Sequence, residues 1–529
     1  MAAGASARAA APAIVLAALL LIPFLGKAFT IDDPLFLYQA RHVLDDPLHP
    51  TAFPVVWSIA PQRMSAIMAS GPGMAYLLVP CVALGGAEWA AHLVQLLALA
   101  LAAWGTASLA LRWGATESTA RTAALMLAAS PAVLGMAGTA MPDVPAMAFG
   151  VWGIERAAAW SRSGRARNGA AAVSCLAAAA LCRSQLIVLT PLAMLACAGD
   201  LFHPRGWAWR RAFPLAAAPA LTWLVFFITR DPEATASAVA GAARMFLFAP
   251  AVARNIVSFF THWALALPLA LPWLLTHPRR ILTSPVAYIA SAAAFWYIRS
   301  TPEVGPIAAA PAAGLGAAVI WDLVRDAWSR RDGVQIVLGC WLFAPAVIVP
   351  YLHLPSKYLV AAAPAAAIAV ARALAQRPPS RSRAIVAATL LPAVLLGVAI
   401  LRADAVFAGL GRRAATELVA PRIAEGERVW FNGHWGFQWY AEKAGARSLT
   451  QTRPHPEWKD LVVSTAHAEG ELMGALPKRR LVATVDDDRP GGRIMSREHG
   501  AGFFSNGWGY LPWSWGSEPV DRYELWVLE

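Results

Sequence analysis

Between Arg383 and Arg402 the chain reads AIVAATLLPAVLLGVAIL, residues 384–401, with no charge in the run. A helix made from it is apolar all round, so it has no face to offer water. About 20 such residues cross the hydrocarbon of a bilayer, with every backbone polar group satisfied inside the helix. Comparable runs recur near 10–26, 88–111, 119–137, 143–160, 169–182, 185–201, 212–229, 256–276, 281–298, 304–321, 334–351 and 357–374. The composition of the 529 residues agrees: 58% are hydrophobic and 14% charged, and the mean hydropathy is +0.50. This reads as an α-helical polytopic membrane protein.

Charge orders the spans. The net charge of +12 could suggest nucleic acid, but the arginines sit in short clusters between apolar runs. That pattern fixes membrane orientation. With Arg8 inside and thirteen spans, one face collects Arg112 and Arg121, then Arg156 to Arg167, Arg205 to Arg211, Arg279 and Arg280, Arg325 to Arg331, and Arg372 to Arg383. Merging 169–182 with 185–201 would flip every later cluster outward. The count therefore predicts a membrane region over 1–401. The first loop (27–87) and a tail domain (402–529) then lie outside, as parts of a multi-pass protein. The first apolar run lacks a small-residue cleavage site and is read as a retained helix. The cysteines, Cys81, Cys175, Cys182, Cys197 and Cys340, show no metal or disulfide spacing.

The first loop has structure of its own. Pro34 to Leu44 is an amphipathic pattern with Gln39, Arg41 and His42 on its polar side, and it predicts an interfacial helix. Gly71 to Leu84 is a second apolar stretch, too short to span. In the tail, 427–432, 480–485 and 523–528 predict strands and 437–443 a helix, hence a small α/β domain. Its eight tryptophans suit sugar stacking, though core packing or interface anchoring accounts for them as well.

Ile31-Asp32-Asp33-Pro34 follows the first span directly. Helix capping explains one of these carboxylates and leaves the other unexplained. Paired carboxylates at a membrane boundary call for a compensating cation, water or substrate proton. Met141-Pro142-Asp143-Val144-Pro145 puts a third carboxylate on the same face. Arg183, Arg299 with Glu303, and His353 with Lys357 and Tyr358 fall at outer ends of spans. Each could snorkel to the interface. Together they would form a basic collar able to hold the phosphate of an anionic lipid donor while a carboxylate deprotonates an acceptor.

The stretches DDPLFLYQARHVLDDPLHP from Asp32, GPGMAYLL from Gly71, MPDVPAM from Met141 and SKYLVAAAP from Ser356 resemble the bacterial GT-C glycosyltransferases. The resemblance is to the protein O-mannosyltransferase and aminoarabinose transferase group, or glycosyltransferase family 39-like proteins. The second acid is Asp where that group more commonly has Glu, and Arg183 stands where Lys is often found. The resemblance implies a GT-C-like fold and inverting transfer of a sugar from a polyprenyl-phosphate carrier to a lipid, glycan or protein acceptor. Asp32 would be the general base. Asp33 and Asp143 would orient the acceptor or hold a divalent cation, magnesium or manganese; the same implication without a cofactor stays open. Arg183, Arg299, His353, Lys357, Tyr358 and the tail's His434 would contact substrate. A transporter or flippase of a lipid-linked substrate is the competing reading, and it would place charges in mid-span.

Overall fold

The computed structural model describes residues 2–68, 70–198, 209–234, 248–267, 269–300, 309–452, 454–467 and 471–529. Five described helices are long and apolar enough to cross a membrane: Gly4–Phe24, Glu88–Arg112, Trp209–Thr229, Ser356–Ala375 and Pro379–Ala424. Two bent pairs raise this to seven. Glu117–Ala128 and Pro131–Ala137 meet at 58°, because Pro131 has no N–H to continue the first helix. Ala249–Leu265 and Ala270–Thr276 meet at 65°. The other segments expected to span are helical too, as Asp143–Ser163, Ala166–Cys182, Ser184–Ala198, Pro285–Ser300, Ala309–Arg330 and Gly333–Ile348. They are shorter or more charged than a lone span needs. Arg205, Glu303 and parts of the expected spans 185–201 and 304–321 lie outside the described residues.

The elements that position the site are α1 (Ala2–Leu21), α2 (Asp33–Asp45), α3 (Glu88–Arg112), α4 (Asp143–Ser163), α5 (Ala166–Cys182) and α6 (Pro379–Ala414). The helix of α6 runs on through a π turn at Ala415–Val419 to Ala424, past position 402 where the composition changes. Proline in the first turn and Asp33 at the positive helix end start α2 where the sequence suggests. Its Gln39, expected on a wet face, is buried, because α2 is covered by the first-loop helix Gly73–Ala83 and by the tail domain.

Strands β1 (Pro54–Val56) and β2 (Pro61–Arg63) form an antiparallel hairpin in the first loop. In the tail, β3 (Val429–Asn432), β4 (Arg447–Ser448), β5 (Leu461–Thr465), β6 (Arg479–Asp486) and β7 (Arg522–Leu528) build one mixed sheet in the order β4-β3-β5-β7-β6. Strand β3 is parallel to β4 and β5; β7 is antiparallel to β5 and β6. Helix α7 (Gly436–Lys443) connects β3 to β4 and docks the domain onto the first loop. Gly436 is required there, since a Cβ would lie 2.0 Å from the Phe29 carbonyl oxygen. The Phe29 N–H donates to Tyr440 Oη at 2.9 Å, and Tyr440 Oη donates to Glu88 at 3.0 Å.

Candidate active site

At the junction of α1 and α2 the backbone is strained. Ile31 has φ of 39°, a conformation that a β-branched residue adopts at a cost on the order of 1–3 kcal/mol. The strain turns two neighbouring carboxylates in different directions. Asp33 is fully buried and accepts from the backbone N–H groups of Thr30 at 2.9 Å and Ala140 at 2.8 Å. It thereby ties the start of α2 to the loop that carries Asp143. Beside it Lys27 and Asp404 form a buried ion pair at 2.8 Å, and Thr30 Oγ1 donates to Asp404 at 2.9 Å. Burial pushes the Asp33 carboxyl up to about 7, although Lys27 and the two backbone N–H groups pull it down.

Asp32 faces the other way, into a cavity of about 380 Å³ lined also by Arg183, Tyr351, His353, Lys357 and Tyr358. Its side chain is 33% exposed and that of Lys357 only 4%, with Lys357 Nζ 3.4 Å from Asp32 Oδ2. Arg183, at the break after α5, is gripped by Asp143 at the start of α4: Nε to Oδ1 is 3.1 Å and Nη2 to Oδ2 is 2.6 Å. This fork geometry fixes the guanidinium plane. Arg183 and Lys357 each lie 5.4 Å from the centroid of the Tyr358 ring, so Tyr358 is bracketed by two cations.

The loop before Ser356 supplies Tyr351 and His353, whose rings pack on each other and on Tyr358. It is held from both domains. Asn255 donates to the carbonyls of Val349 at 2.8 Å and Tyr351 at 2.6 Å, while Asn506 of the tail accepts from Leu354 N–H at 3.3 Å. Burial and then Lys357 keep His353 well below the usual histidine range, so it is neutral. The hairpin places Trp57 against the cavity. His434 lies behind Trp57 with ring centroids 5.2 Å apart, and burial lowers it to about 4 against the pull of Asp32. Gln438 donates to the Val56 carbonyl at 2.8 Å and Gln451 N–H to that of Ile59 at 2.8 Å, so the tail domain fixes this roof.

The cavity thus gathers Asp32, Arg183, His353, Lys357 and Tyr358, with Asp143 and His434 in support. Arg299 does not join them. It is exposed at the end of its helix and sits over Trp296 at 5.9 Å. The three carboxylates do not converge either. Asp33 is committed to backbone N–H groups and Asp143 to Arg183, and among the described residues only Glu498, His499 and Glu518 group as metal ligands would. The expected cation therefore has no ready set of donors at Asp32, Asp33 and Asp143. Sequence reasoning missed Lys27 and Asp404. The signal was present, since Asp404 is a carboxylate within a long apolar helix, where an acid needs a partner.

No protein-family model matches the chain, and no curated protein matches it. Among solved structures it is similar to ArnT from Cupriavidus metallidurans bound to undecaprenyl phosphate, with a TM-score of 0.49 and 16% identity over 89% of this chain and 96% of that one. It is similar also to the apo state of the same protein, with a TM-score of 0.45 and 16% identity over 89% and 95% of the two chains.

Proposed function

We propose that this chain is a membrane glycosyltransferase that moves a sugar from a polyprenyl-phosphate-linked donor to an acceptor on the extracytoplasmic side, with inversion at the anomeric carbon. The observation that carries the reading is the cavity in which Asp32 alone of the three carboxylates is accessible, 3.4 Å from Lys357 and within reach of Arg183. Asp32 takes the proton of the acceptor's hydroxyl or amine as that group attacks the anomeric carbon. The bond from that carbon to the phosphate oxygen breaks on the opposite face, and the electron pair leaves with the polyprenyl phosphate. Lys357 and Arg183 stabilise the charge that grows on the departing phosphate. Asp143 acts through Arg183 by fixing its plane.

A groove of about 540 Å³ supports a lipid-linked donor. Its walls include Val188, Leu192, Phe343 and Val347, and they are almost wholly apolar. Val347 adjoins Ile348 of the cavity, so a chain lying in the groove would bring its head to Asp32. The test is transfer by purified protein from a panel of polyprenyl-phosphate sugars, reading both the glycosylated acceptor and the released polyprenyl phosphate. Equal amounts of both products are expected. Translocation of intact donor across proteoliposomes without release of polyprenyl phosphate would instead favour a flippase.

A further inference from the structure

The opposite end of α4, about 30 Å from Asp143 at 1.5 Å per residue, borders a second cavity of about 630 Å³. Arg112 closes α3 there, Arg156 and Arg162 come from the last turns of α4, and Arg165 and Arg167 begin α5. Gly164, with φ of 64°, makes the tight left-handed turn that brings the last three together. One carboxylate, Glu155, serves this cluster, and it is already engaged. Its side chain is fully buried, it accepts from Arg112 at 2.9 and 2.6 Å and from Ser108 at 2.8 Å, and it pairs with Arg156. Among the described residues no carboxylate pairs with Arg162, Arg165 or Arg167, all of which are exposed. Arg211, which donates to the Ser161 carbonyl, adds to the same excess.

The remaining wall combines Trp104 and Trp152 with the small polar side chains of Ser6, Ser108, Ser163 and Asn168. Trp104 and Trp152 meet edge to face at 5.3 Å. Their indole N–H groups donate to Ser6 Oγ at 3.0 Å and to the Leu101 carbonyl at 2.9 Å, and the Arg156 guanidinium lies 5.2 Å from the Trp152 ring. Tryptophans so arranged belong at headgroup depth. From them an apolar track leads along α3 into the bilayer, where Leu101 is 47% and Leu97 55% exposed. A free anion would use the arginines and leave the track bare. A phospholipid uses both.

We propose that this cavity binds the headgroup of an anionic phospholipid from the leaflet opposite the Asp32 cavity, with its acyl chains along Leu101 and Leu97. The proposal stands independently of the sugar-transfer reading. The test is native mass spectrometry of the full-length protein titrated with phosphatidylglycerol in phosphatidylcholine-containing micelles. The triple variant R162Q/R165Q/R167Q leaves Arg112 and Arg156 on Glu155. At roughly fivefold per arginine near an anionic surface, half-saturation should rise at least tenfold. A control variant, R381Q/R383Q, should bind as the wild type does. Unchanged retention in the triple variant, equal loss in the control, or displacement by millimolar inorganic phosphate would each overturn the proposal. If the triple variant melts early, Arg165→Gln alone is read the same way, with a shift of about fivefold expected and an unchanged value counting against the site.

Discussion

Asp32 and Asp33 share a sequence environment, but their side chains enter two different regions of the molecule. Asp33 belongs to a dry locus with Lys27, Thr30 and Asp404, in which every partner is buried and supplied by the protein. Asp32 is partly exposed in a cavity that Lys357 and Arg183, themselves mostly buried, help to line. The contrast teaches that paired carboxylates need not share one job. One can hold the backbone in a strained turn while the other is presented to a substrate. The strain at Ile31 is the hinge between them, since relaxing its φ of 39° would re-aim Asp32.

The comparison is broken most severely in the dry locus. Asp404→Asn leaves Lys27 buried without its counter-charge, and loss of one partner of such a pair costs about 3–5 kcal/mol. A large fall in the thermal unfolding midpoint is expected, and a midpoint like that of the wild type would mean that the pair does not hold the turn. In the cavity, Lys357→Ala removes a charge-assisted hydrogen bond to the donor phosphate, worth about 1.5–3 kcal/mol. The kcat/KM for donor should fall roughly 10- to 100-fold, with little change in unfolding.

A smaller effect separates the loci by pH. The folded-state value of Asp33, about 7, lies above its ordinary 3.8. Its contribution to stability is therefore fully present below 3.8 and is lost as pH rises through about 7. His434, lowered from its ordinary 6.5 to about 4, acts in the opposite sense over most of that range. The quantity to measure is thus the difference between the wild-type and Asp33→Asn stability curves, which should shrink as pH rises to about 7 and then level off. A difference independent of pH would contradict the burial argument. The smallest effect is at Arg299: Arg299→Ala should leave donor KM unchanged and stability within about 0.5 kcal/mol.

How far these features were legible in the sequence follows from how local they are. The helix at Asp33–Asp45 and the strands near 429, 480 and 523 carry their signals in short windows of proline, acid and β-branched residues. Strand β5, with every residue buried, shows no alternation and escapes a period-two reading. The hairpin has a proline in each strand and reads as a loop. Arg183 and Lys357 could be grouped with Asp32 because charge clusters assign ends of helices to faces. That logic also grouped Arg299, since it gives depth but not direction around the bundle. The Lys27–Asp404 pair joins the start of the first loop to α6, a contact between distant parts of the chain that no local pattern encodes.

The most direct test of the account is a paired measurement of sugar transfer and thermal unfolding for Asp32→Asn and Asp33→Asn. Loss of a general base should lower turnover of Asp32→Asn by about 100- to 10,000-fold while its unfolding midpoint stays at the wild-type value. Asp33→Asn sets an amide N–H against a backbone donor and should melt earlier, keeping more turnover than Asp32→Asn where it remains folded. Wild-type transfer by Asp32→Asn, or the reverse division of the two effects, would contradict the account.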